Sequence, residues 1–341
     1  MGFFDYFKQE IAIDLGTANT LIIYNDKVVV DEPSIVAKDI QTGKIVAIGK
    51  KAQQMHGKTH KNIETIRPLK DGVIADFEAA EQMIKGFIQM INPGRRYFIP
   101  PQIRMVICIP SGITEVEKRA VRDSAEHAGA KDVRLIQEPM AAAIGIGIDV
   151  EEPMGNMIID IGGGTSEIAV IALGGIVCDR SIRVAGDDFT ADIEDYMRRQ
   201  HNILIGERSA ERIKIEVGSA LTELENPPPD YAVHGRDLMT GIPKEITVSY
   251  QEVAHALDKS ITKIETAILN NLEMTPPELS ADIYRTGLYL AGGGSMLRGL
   301  DKRISLKTKL PVHIADDPLR AVARGTGIAL KNIDRFPFLM R

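Results

Sequence analysis

One sequence pattern occurs twice in this chain of 341 residues and limits the folds that the chain can adopt. Residues 11–24, IAIDLGTANTLIIY, and residues 157–172, MIIDIGGGTSEIAVIA, each contain an apolar run that ends in Asp, a turn rich in Gly and Thr, and a second apolar run. This pattern predicts a β-hairpin whose tip allows close approach to the backbone. The aspartates of the two copies, Asp14 and Asp160, lie about one domain length apart. The sequence therefore predicts two similar α/β domains, each of which begins with this hairpin.

The rest of the chain also favours an α/β fold, because helical and strand patterns alternate along it. Apolar periodicity and capping residues predict helices at about 76–91, 114–129, 209–224, 295–306 and 318–332. Strands such as RMVICIP and GLYLAG are predicted between them.

Two stretches interrupt the duplicated architecture and are predicted to form small inserted subdomains, one at about 31–68 and the other at about 180–250. Domain I is then expected to cover residues 1–140, and domain II residues 141–317. The C-terminal helical region, 318–341, is expected to pack back on domain I. This organisation predicts a cleft between the two halves.

Charge and hydropathy exclude several classes of protein. The chain has 41 Lys and Arg against 47 Asp and Glu, so it lacks the net positive charge of a protein that coats nucleic acid. It contains no run of 18 apolar residues and no signal-peptide pattern, and it is expected to stay in the cytoplasm. Cys108 and Cys178 each lie alone in an apolar stretch and are predicted to be buried, reduced thiols.

The first ten residues, MGFFDYFKQE, are rich in aromatic side chains. Phe3, Phe4 and Phe7 would share one side of a helical turn, which suits a segment that lies in a membrane interface. A terminal flap that packs on the body of the protein would explain the same residues. The sequence pattern leaves both interpretations open.

The two predicted hairpin tips are suited to binding phosphate. Glycine lets a phosphate approach the chain, and successive backbone N–H groups can converge on its oxygens. Two tips that face one cleft can hold a phosphate chain from both sides, and Asp14 and Asp160 then face a common position for a hydrated Mg²⁺. Magnesium ions keep several waters and use few carboxylates, which agrees with two aspartates. The alternative is that the aspartates only form turns at strand ends.

A third glycine run, Gly292 to Gly294, follows the apolar strand GLYL and precedes a predicted helix. A strand, glycines and a helix N-terminus together are typical of a site for an anion or a nucleotide. The chain contains neither GxGxxG nor GxxxxGKS or GxxxxGKT, which excludes the common dinucleotide-binding and P-loop folds.

Five segments, in order, resemble the signature motifs of the actin, Hsp70 and sugar kinase superfamily. They are DLGTANT, QEPMAAA at 137–143, DIGGGTSE, AGGGSML and DPLRAVARGTG at 317–327, and they extend over almost the whole chain. Longer stretches such as RPLKDGVIADFEAAEQMIK and IPSGITEVEKRAV are similar to the MreB family of bacterial actins. The resemblance implies an actin-like ATPase fold with two duplicated ribonuclease-H-like α/β domains, a nucleotide cleft between them and a small inserted subdomain on each.

The resemblance also implies roles for residues in each motif. The cleft would bind ATP or ADP with Mg²⁺, which Asp14 and Asp160 would hold through water. Glu138 would orient the water that attacks the phosphate, and Thr165 would assist. The implied nucleotide-binding residues are Gly16, Thr17, Ala18 and Asn19 in domain I, Gly162, Gly163, Gly164 and Thr165 in domain II, Glu211 and Lys214 beside the adenine and ribose, and Gly292, Gly293 and Gly294 opposite them. Taken alone, Glu138 before Pro139 could simply be an acidic residue at a helix N-terminus.

By the same resemblance, the chain is expected to polymerise with copies of itself into filaments on the inner face of the cell membrane. There it would work with cell-wall elongation proteins to maintain a rod shape, without binding nucleic acid. Tyr97 and Phe98, beside two arginines in the loop NPGRRYFIPPQ, would form a second apolar membrane contact in addition to the N-terminal segment. A strand that enters the sheet is the alternative for this loop.

Two other functions within the superfamily are alternatives. A sugar or acid kinase needs an acceptor pocket and a catalytic Asp in the cleft, and the sequence offers no insert that would supply them. A chaperone ATPase similar to Hsp70 needs a substrate-binding domain, whereas the sequence ends a few residues after the last predicted helix.

Overall fold

The computed structural model of the chain describes residues 8–91 and 102–341. In chain order, the elements of the first half are β1 (Lys8–Leu15), β2 (Asn19–Tyr24), β3 (Lys27–Pro33), β4 (Val36–Asp39), β5 (Ile45–Ile48), α1 (Lys50–Met55), β6 (Ile63–Ile66), β7 (Leu69–Lys70), β8 (Val73–Ile74), α2 (Phe77–Ile91), β9 (Gln102–Ile109), α3 (Glu115–His127), β10 (Ala130–Gln137) and α4 (Glu138–Gly145). Those of the second half are β11 (Asn156–Ile161), β12 (Ser166–Ala172), β13 (Gly175–Ile182), α5 (Gly186–His201), β14 (Ile203–Leu204), α6 (Glu207–Val217), β15 (Tyr231–Asp237), β16 (Pro243–Val248), α7 (Tyr250–Met274), α8 (Pro277–Thr286), β17 (Leu288–Ala291), α9 (Leu300–Thr308), β18 (Val312–Ile314) and α10 (Ala321–Lys331).

Two five-stranded sheets share one arrangement around the duplicated hairpin. The first has the order β10-β9-β1-β2-β3, and the second has the order β13-β12-β11-β17-β18. In the first sheet, β1 pairs antiparallel with β2 and parallel with β9. In the second sheet, β11 pairs antiparallel with β12 and parallel with β17. The predicted α/β fold with a duplicated hairpin is therefore confirmed.

Both hairpins lie inside their sheets, and this position explains their apolar composition. Strands that are covered on both faces carry long apolar runs instead of alternating polar and apolar residues. β11 and β12 are buried along their whole lengths, and the buried residues include Asp160 and Glu167. An acidic side chain is costly to bury without a partner, and Asp160 Oδ1 has none in the described ranges, so Asp160 indicates a functional site at this end of the hairpin.

Each half of the chain also carries a small sheet apart from its five-stranded sheet. The strands of the first small sheet have the order β5-β4-β6, and α1 packs on it. Those of the second have the order β14-β15-β16, and α6 packs against β15. We refer to these small sheets with their helices as insert I and insert II.

Helices α4 and α10 pack against each other between the two large sheets. One buried apolar cluster joins them to both sheets, since it includes Ala12 and Val106 from the first sheet and Ile158 and Ile171 from the second. This cluster is the apolar connection between the two halves of the molecule.

The backbones of α4 and α10 approach each other so closely that only glycine fits at two positions. A Cβ atom at Gly145 would overlap the Ala321 carbonyl oxygen, and one at Gly325 would overlap the Ala141 carbonyl oxygen. We call this pair of positions the glycine contact. Because α4 begins with Glu138, the glycine contact also fixes where that side chain lies.

Candidate functional site

The tips of the two duplicated hairpins contact each other. A Cβ atom at Gly163 would lie 2.7 Å from the Cβ atom of Ala18, and one at Gly164 would lie 2.8 Å from Oγ1 of Thr17. These distances leave no space for a side chain, so glycine is needed where one tip meets the other. The predicted phosphate-binding residues of the two halves are thus brought to one place.

Two buried threonines lie beside this contact. Thr17 Oγ1 accepts a hydrogen bond of 3.0 Å from the Gly72 backbone N–H. Thr165 packs against the same glycine, where a Cβ atom would lie 2.9 Å from its Cγ2. Within the first tip, a Cβ atom at Gly16 would lie 2.6 Å from the Asn19 carbonyl oxygen. The turn between β7 and β8, which lies outside the five signature motifs, therefore joins the two tips.

The second tip is held by the start of α5 and by α6. The Gly186 backbone N–H donates to the Gly162 carbonyl oxygen at 3.1 Å. Lys214 Nζ donates to the Gly186 carbonyl oxygen at 2.8 Å and lies 2.6 Å from Glu211 Oε2. Thr190 Oγ1 also donates to Glu211, at 2.7 Å. The structure thus places Glu211 and Lys214 beside the second tip, and their role toward adenine and ribose stays a prediction.

The third glycine run lies against the end of β11. Gly292 has a φ of 78°, and a Cβ atom there would overlap the Ile161 carbonyl oxygen and Asp160 Oδ1. Gly294 packs on the Ile161 side chain in the same way, and Gly293 lies between them. The run therefore borders Asp160, the buried aspartate of the second hairpin, and its role in binding a nucleotide stays a prediction.

Three acidic residues lie at the base of the hairpin tips. Burial raises the pKa of Asp14, on β1, to about 6, although a hydrogen bond from the Cys108 thiol opposes the shift. Burial, with the charges of Asp14 and Glu167, raises the pKa of Asp160, on β11, to about 8. Burial, and then the charge of Glu167, raises the pKa of Glu138 well above its ordinary value. Acids that raise one another's pKa values favour a bound cation.

The acidic cluster fits a hydrated magnesium ion. Asp160 Oδ1 is buried and has no hydrogen-bond partner in the described part of the chain. Carboxylate oxygens are the donors that Mg²⁺ prefers, and the ion commonly uses one or two of them together with several waters. Within residues 8–91 and 102–341, no group of three or more His, Cys, Asp or Glu side chains is arranged as a direct metal site.

Two residues of the site had no role assigned from the sequence: Glu167, which ends the DIGGGTSE motif, and Cys108. Glu167 is fully buried on β12 and accepts hydrogen bonds from the Ser111 N–H at 3.1 Å, Ser111 Oγ at 2.6 Å and Ser181 Oγ at 2.5 Å. Because Ser111 follows β9 of the first sheet, the Glu167 carboxylate links the two halves. The Cys108 thiol donates to Asp14 Oδ1 at 3.0 Å, and burial raises the pKa of this thiol well above its usual value.

The two inserts contact each other through Glu207, the first residue of α6. Its carboxylate accepts a hydrogen bond from the Arg67 guanidinium and lies 3.1 Å from His56 Nε2. Arg67 Nη1 also lies 3.9 Å from Oδ1 of Asp187, which is beside the second tip. We refer to Arg67, His56 and Glu207 as the cross-cleft cluster.

The predicted membrane contacts lie outside the part of the chain that the structure describes. Phe3, Phe4 and Phe7 fall in residues 1–7, and Tyr97 and Phe98 fall in residues 92–101. Their role therefore stays a prediction. None of the helices in the described ranges combines the length and the apolar character that a membrane span requires.

The raised pKa of Asp160 predicts how pH affects the stability of the nucleotide-free chain. Between pH 4 and pH 8, folded Asp160 keeps a proton that the unfolded chain releases, so its contribution to the free energy of unfolding falls as pH rises. Asp160→Asn cannot ionise and avoids this loss. We expect the variant to be more stable than the wild type at pH 8.5 by about 2 kcal/mol, and to show a smaller difference at pH 5.

Thermal unfolding of the nucleotide-free chain between pH 5 and pH 9 measures this effect. Asp237→Asn is the control, because hydrogen bonds from the Thr240 and Met239 N–H groups lower the pKa of Asp237. The difference in stability between Asp237→Asn and the wild type should therefore stay constant above pH 5. A difference between Asp160→Asn and the wild type that was the same at pH 5 and pH 8.5 would contradict the raised pKa of Asp160.

Two α/β halves with matching hairpins, whose tips meet in the space between them, define an actin-like protein. More narrowly, the chain belongs to the MreB/Mbl family, because the family model described as MreB/Mbl protein matches residues 8–337. The chain is 47% identical over 332 residues to the cell shape-determining protein Mbl of Bacillus subtilis, covering 97% of this chain and 98% of the relative. It is also 47% identical over 338 residues to the cell shape-determining protein MreB of Escherichia coli, covering 96% and 95% of the two chains.

Solved structures agree with this assignment. The crystal structure of MreB5 of Spiroplasma citri bound to AMPPNP matches with a TM-score of 0.90 at 40% identity, over 96% of this chain and 97% of that chain. A MamK double helical filament matches with a TM-score of 0.79 at 22% identity, over 97% and 100% of the two chains. The second likeness shows the fold alone. The family and fold predicted from the five motifs are confirmed.

Proposed function

We propose that the chain binds ATP and ADP with Mg²⁺ between its two hairpin tips, hydrolyses ATP and polymerises into filaments on the inner face of the cell membrane. The filaments would organise cell-wall elongation proteins and so maintain a rod shape. The contact between the two tips carries the proposal, because it brings the two turns that are predicted to bind phosphate to one position. MreB5 of Spiroplasma citri, which was solved with AMPPNP and with ADP, supports the choice of nucleotide.

The backbone of the tips is available for phosphate oxygens. The N–H groups of Thr17 and Ala18 on the first tip, and of Gly163 and Gly164 on the second, donate to no backbone acceptor in the described ranges. Converging N–H groups of this kind bind anions. We assign the phosphates of the nucleotide to these four groups.

The acidic cluster supplies the remaining parts of an ATPase. Asp14 and Asp160 would hold Mg²⁺ through water, and a bound ion would supply positive charge to offset the negative charge of the phosphates. Glu138 orients the attacking water, and Thr165, which lies at the meeting of the tips, assists. Phosphoryl transfer depends on positioning and charge compensation more than on a strong base, which suits this set of side chains.

Co-sedimentation tests the proposal. The full chain is mixed with ATP, Mg²⁺ and vesicles of anionic phospholipid, and the pellet is imaged by electron microscopy. A chain without residues 1–7, which keeps β1 intact, is compared with it. We expect membrane-bound filaments from the full chain and weaker membrane binding from the truncated chain, because three phenylalanines have been removed.

Two further variants separate the membrane contacts from general effects. Tyr97→Ser with Phe98→Ser tests the second predicted contact. Met239→Ser is the matched control, because Met239 is 82% exposed at a turn of insert II that the proposal does not use. A full chain that stayed monomeric with ATP at every concentration would contradict the filament proposal, and phosphorylation of sugars would then be tested.

A further inference from the structure

The two hairpin aspartates have different neighbours on the adjacent parallel strand. In the second sheet, Asp160 of β11 is paired with Ala291 of β17. In the first sheet, the pairing of Ile13 with Ile107 places Cys108 of β9 next to Asp14 of β1. The duplicated architecture therefore has a thiol at one of its two equivalent positions and a methyl group at the other.

This difference changes how each carboxylate is held. The Cys108 thiol, which is only 2% exposed, donates a hydrogen bond of 3.0 Å to Asp14 Oδ1. Among the described residues, Asp160 Oδ1 has no partner. Asp14 is thus the one hairpin aspartate in the described ranges whose carboxylate is fixed by a side chain of the protein.

We propose that Cys108 is a positioning residue for Asp14. Its thiol occupies Oδ1 and so fixes the orientation in which the carboxylate meets a hydrated Mg²⁺. This inference rests on the proposed function, since it assumes that Asp14 holds the ion through water. A side chain that hydrogen-bonds to a metal-holding group orients that group and strengthens metal binding, although this partner does not itself touch the metal. The thiol itself is buried, and a hydrogen bond in such a low-dielectric position is stronger than the same bond in water.

The test is the Mg²⁺ dependence of nucleotide affinity. Binding of a fluorescent ATP analogue is measured first in EDTA and then at increasing free Mg²⁺, for the wild type, Cys108→Ala and Cys108→Ser. Added Mg²⁺ is expected to raise nucleotide affinity. We expect Cys108→Ala to need about 3- to 10-fold more free Mg²⁺ than the wild type for half of this increase, because a change of this size corresponds to the loss of one hydrogen bond. Cys108→Ser keeps a donor and should stay within about 2-fold of the wild type. Affinity in EDTA should be the same for all three.

Cys178→Ala is the matched control, because it removes a thiol that lies 3.5 Å from Thr275 Oγ1, between β13 and α7. It should bind Mg²⁺ and nucleotide as the wild type does. A Cys108→Ala variant with the Mg²⁺ dependence of the wild type would overturn the inference, and so would a Cys108→Ser variant that was shifted as far as Cys108→Ala. Equal loss of affinity in EDTA and in Mg²⁺ would also overturn it, because the residue would then only support packing.

The response of the wild type to Mg²⁺ separates a failure of the proposed function from a failure of the inference about Cys108. A wild-type chain that bound nucleotide with no response to Mg²⁺ would overturn the magnesium assignment and this inference together. A wild type that responded to Mg²⁺, combined with an unchanged Cys108→Ala variant, would overturn the inference and leave the proposed function standing.

Discussion

Replacing Glu138 with Gln is expected to reduce the rate of phosphate release from ATP at least about 100-fold, and to leave nucleotide affinity within about 3-fold of the wild type. Glu138 begins α4 and is close enough to Asp14, Asp160 and Glu167 for their charges to raise its pKa. The amide has the shape of the acid, but it carries no negative charge and cannot take up a proton from the attacking water. Losses of this size are typical when a group that acts on a proton in the transition state is removed.

Phosphate release and equilibrium binding of a fluorescent ATP analogue measure the two quantities separately. Glu278→Gln is the matched control, because Glu278 also lies in the first turn of a helix that has Pro at its start, and it is exposed. If Glu138 only balanced the helix dipole, both variants would lose a similar small amount of stability and keep their activity. Phosphate release at the wild-type rate from Glu138→Gln would remove this residue from the mechanism.

Replacing Gly325 with Ala is expected to destabilise the protein by about 3 kcal/mol or more, or to prevent folding. The added Cβ atom would overlap the Ala141 carbonyl oxygen, and a backbone group of a packed helix cannot move aside as a side chain can. The α4 and α10 helices would have to separate, and the apolar cluster that joins the two sheets would open with them. Overpacking of a core against backbone is among the few causes of such large effects.

Denaturant unfolding of the nucleotide-free chain measures this loss, with Gly327→Ala as the control on the same helix. A Cβ atom at Gly327 would lie 3.3 Å from Cδ1 of Ile23, a side-chain end that can shift. Alanine is a better helix former than glycine by about 1 kcal/mol, so Gly327→Ala should be neutral or stabilising. Equal stabilities for the two variants would show that α10 can move away from α4 at little cost.

Local sequence patterns predicted the hairpins and the residues whose roles depend on them. Each hairpin is indicated by an apolar run that ends in Asp and by a turn of Gly and Thr, all within about 14 residues. The antiparallel pairings that contain Asp14 and Asp160 form within these same short segments. That the tips contact each other required the duplication, since two copies of one hairpin in two like domains can face each other. The same logic predicted that Asp14 and Asp160 face one position, whereas the role of Glu138 came only from the family resemblance.

Helix ends were predicted less well, and the errors have physical causes. The helix predicted at 209–224 begins at Glu207 and ends at Val217, because the chain leaves the helical conformation at Gly218, which has a ψ of 134°. The helix predicted at 295–306 is divided: a short 3-10 turn ends at Met296, and α9 begins only after Gly299, which has a φ of 73°. The apolar periodicity continues past Gly218 and Gly299, so it did not indicate that the helices are interrupted at these glycines.

Contacts between distant residues could not be predicted from local pattern at all. Cys108 meets Asp14 because β9 lies beside β1 in a particular register, and no motif states that register. Arg67 contacts Glu207 because insert I and insert II, which belong to different halves of the chain, lie next to each other. Such pairs depend on the assembled fold, so only the structure reveals them.

Through the cross-cleft cluster, the ionic strength of the solution is expected to affect how firmly the two inserts are held together. Arg67 and Glu207 are each about one third exposed, with side-chain accessibilities of 34% and 38%, so dissolved ions reach both. Ion pairs of this kind are weak individually and weaken further as ionic strength rises. In the proposed function, the two inserts would have to separate before a nucleotide at the hairpin tips could leave. Under the proposed function, a rise in ionic strength would then shorten the time for which the chain retains its nucleotide.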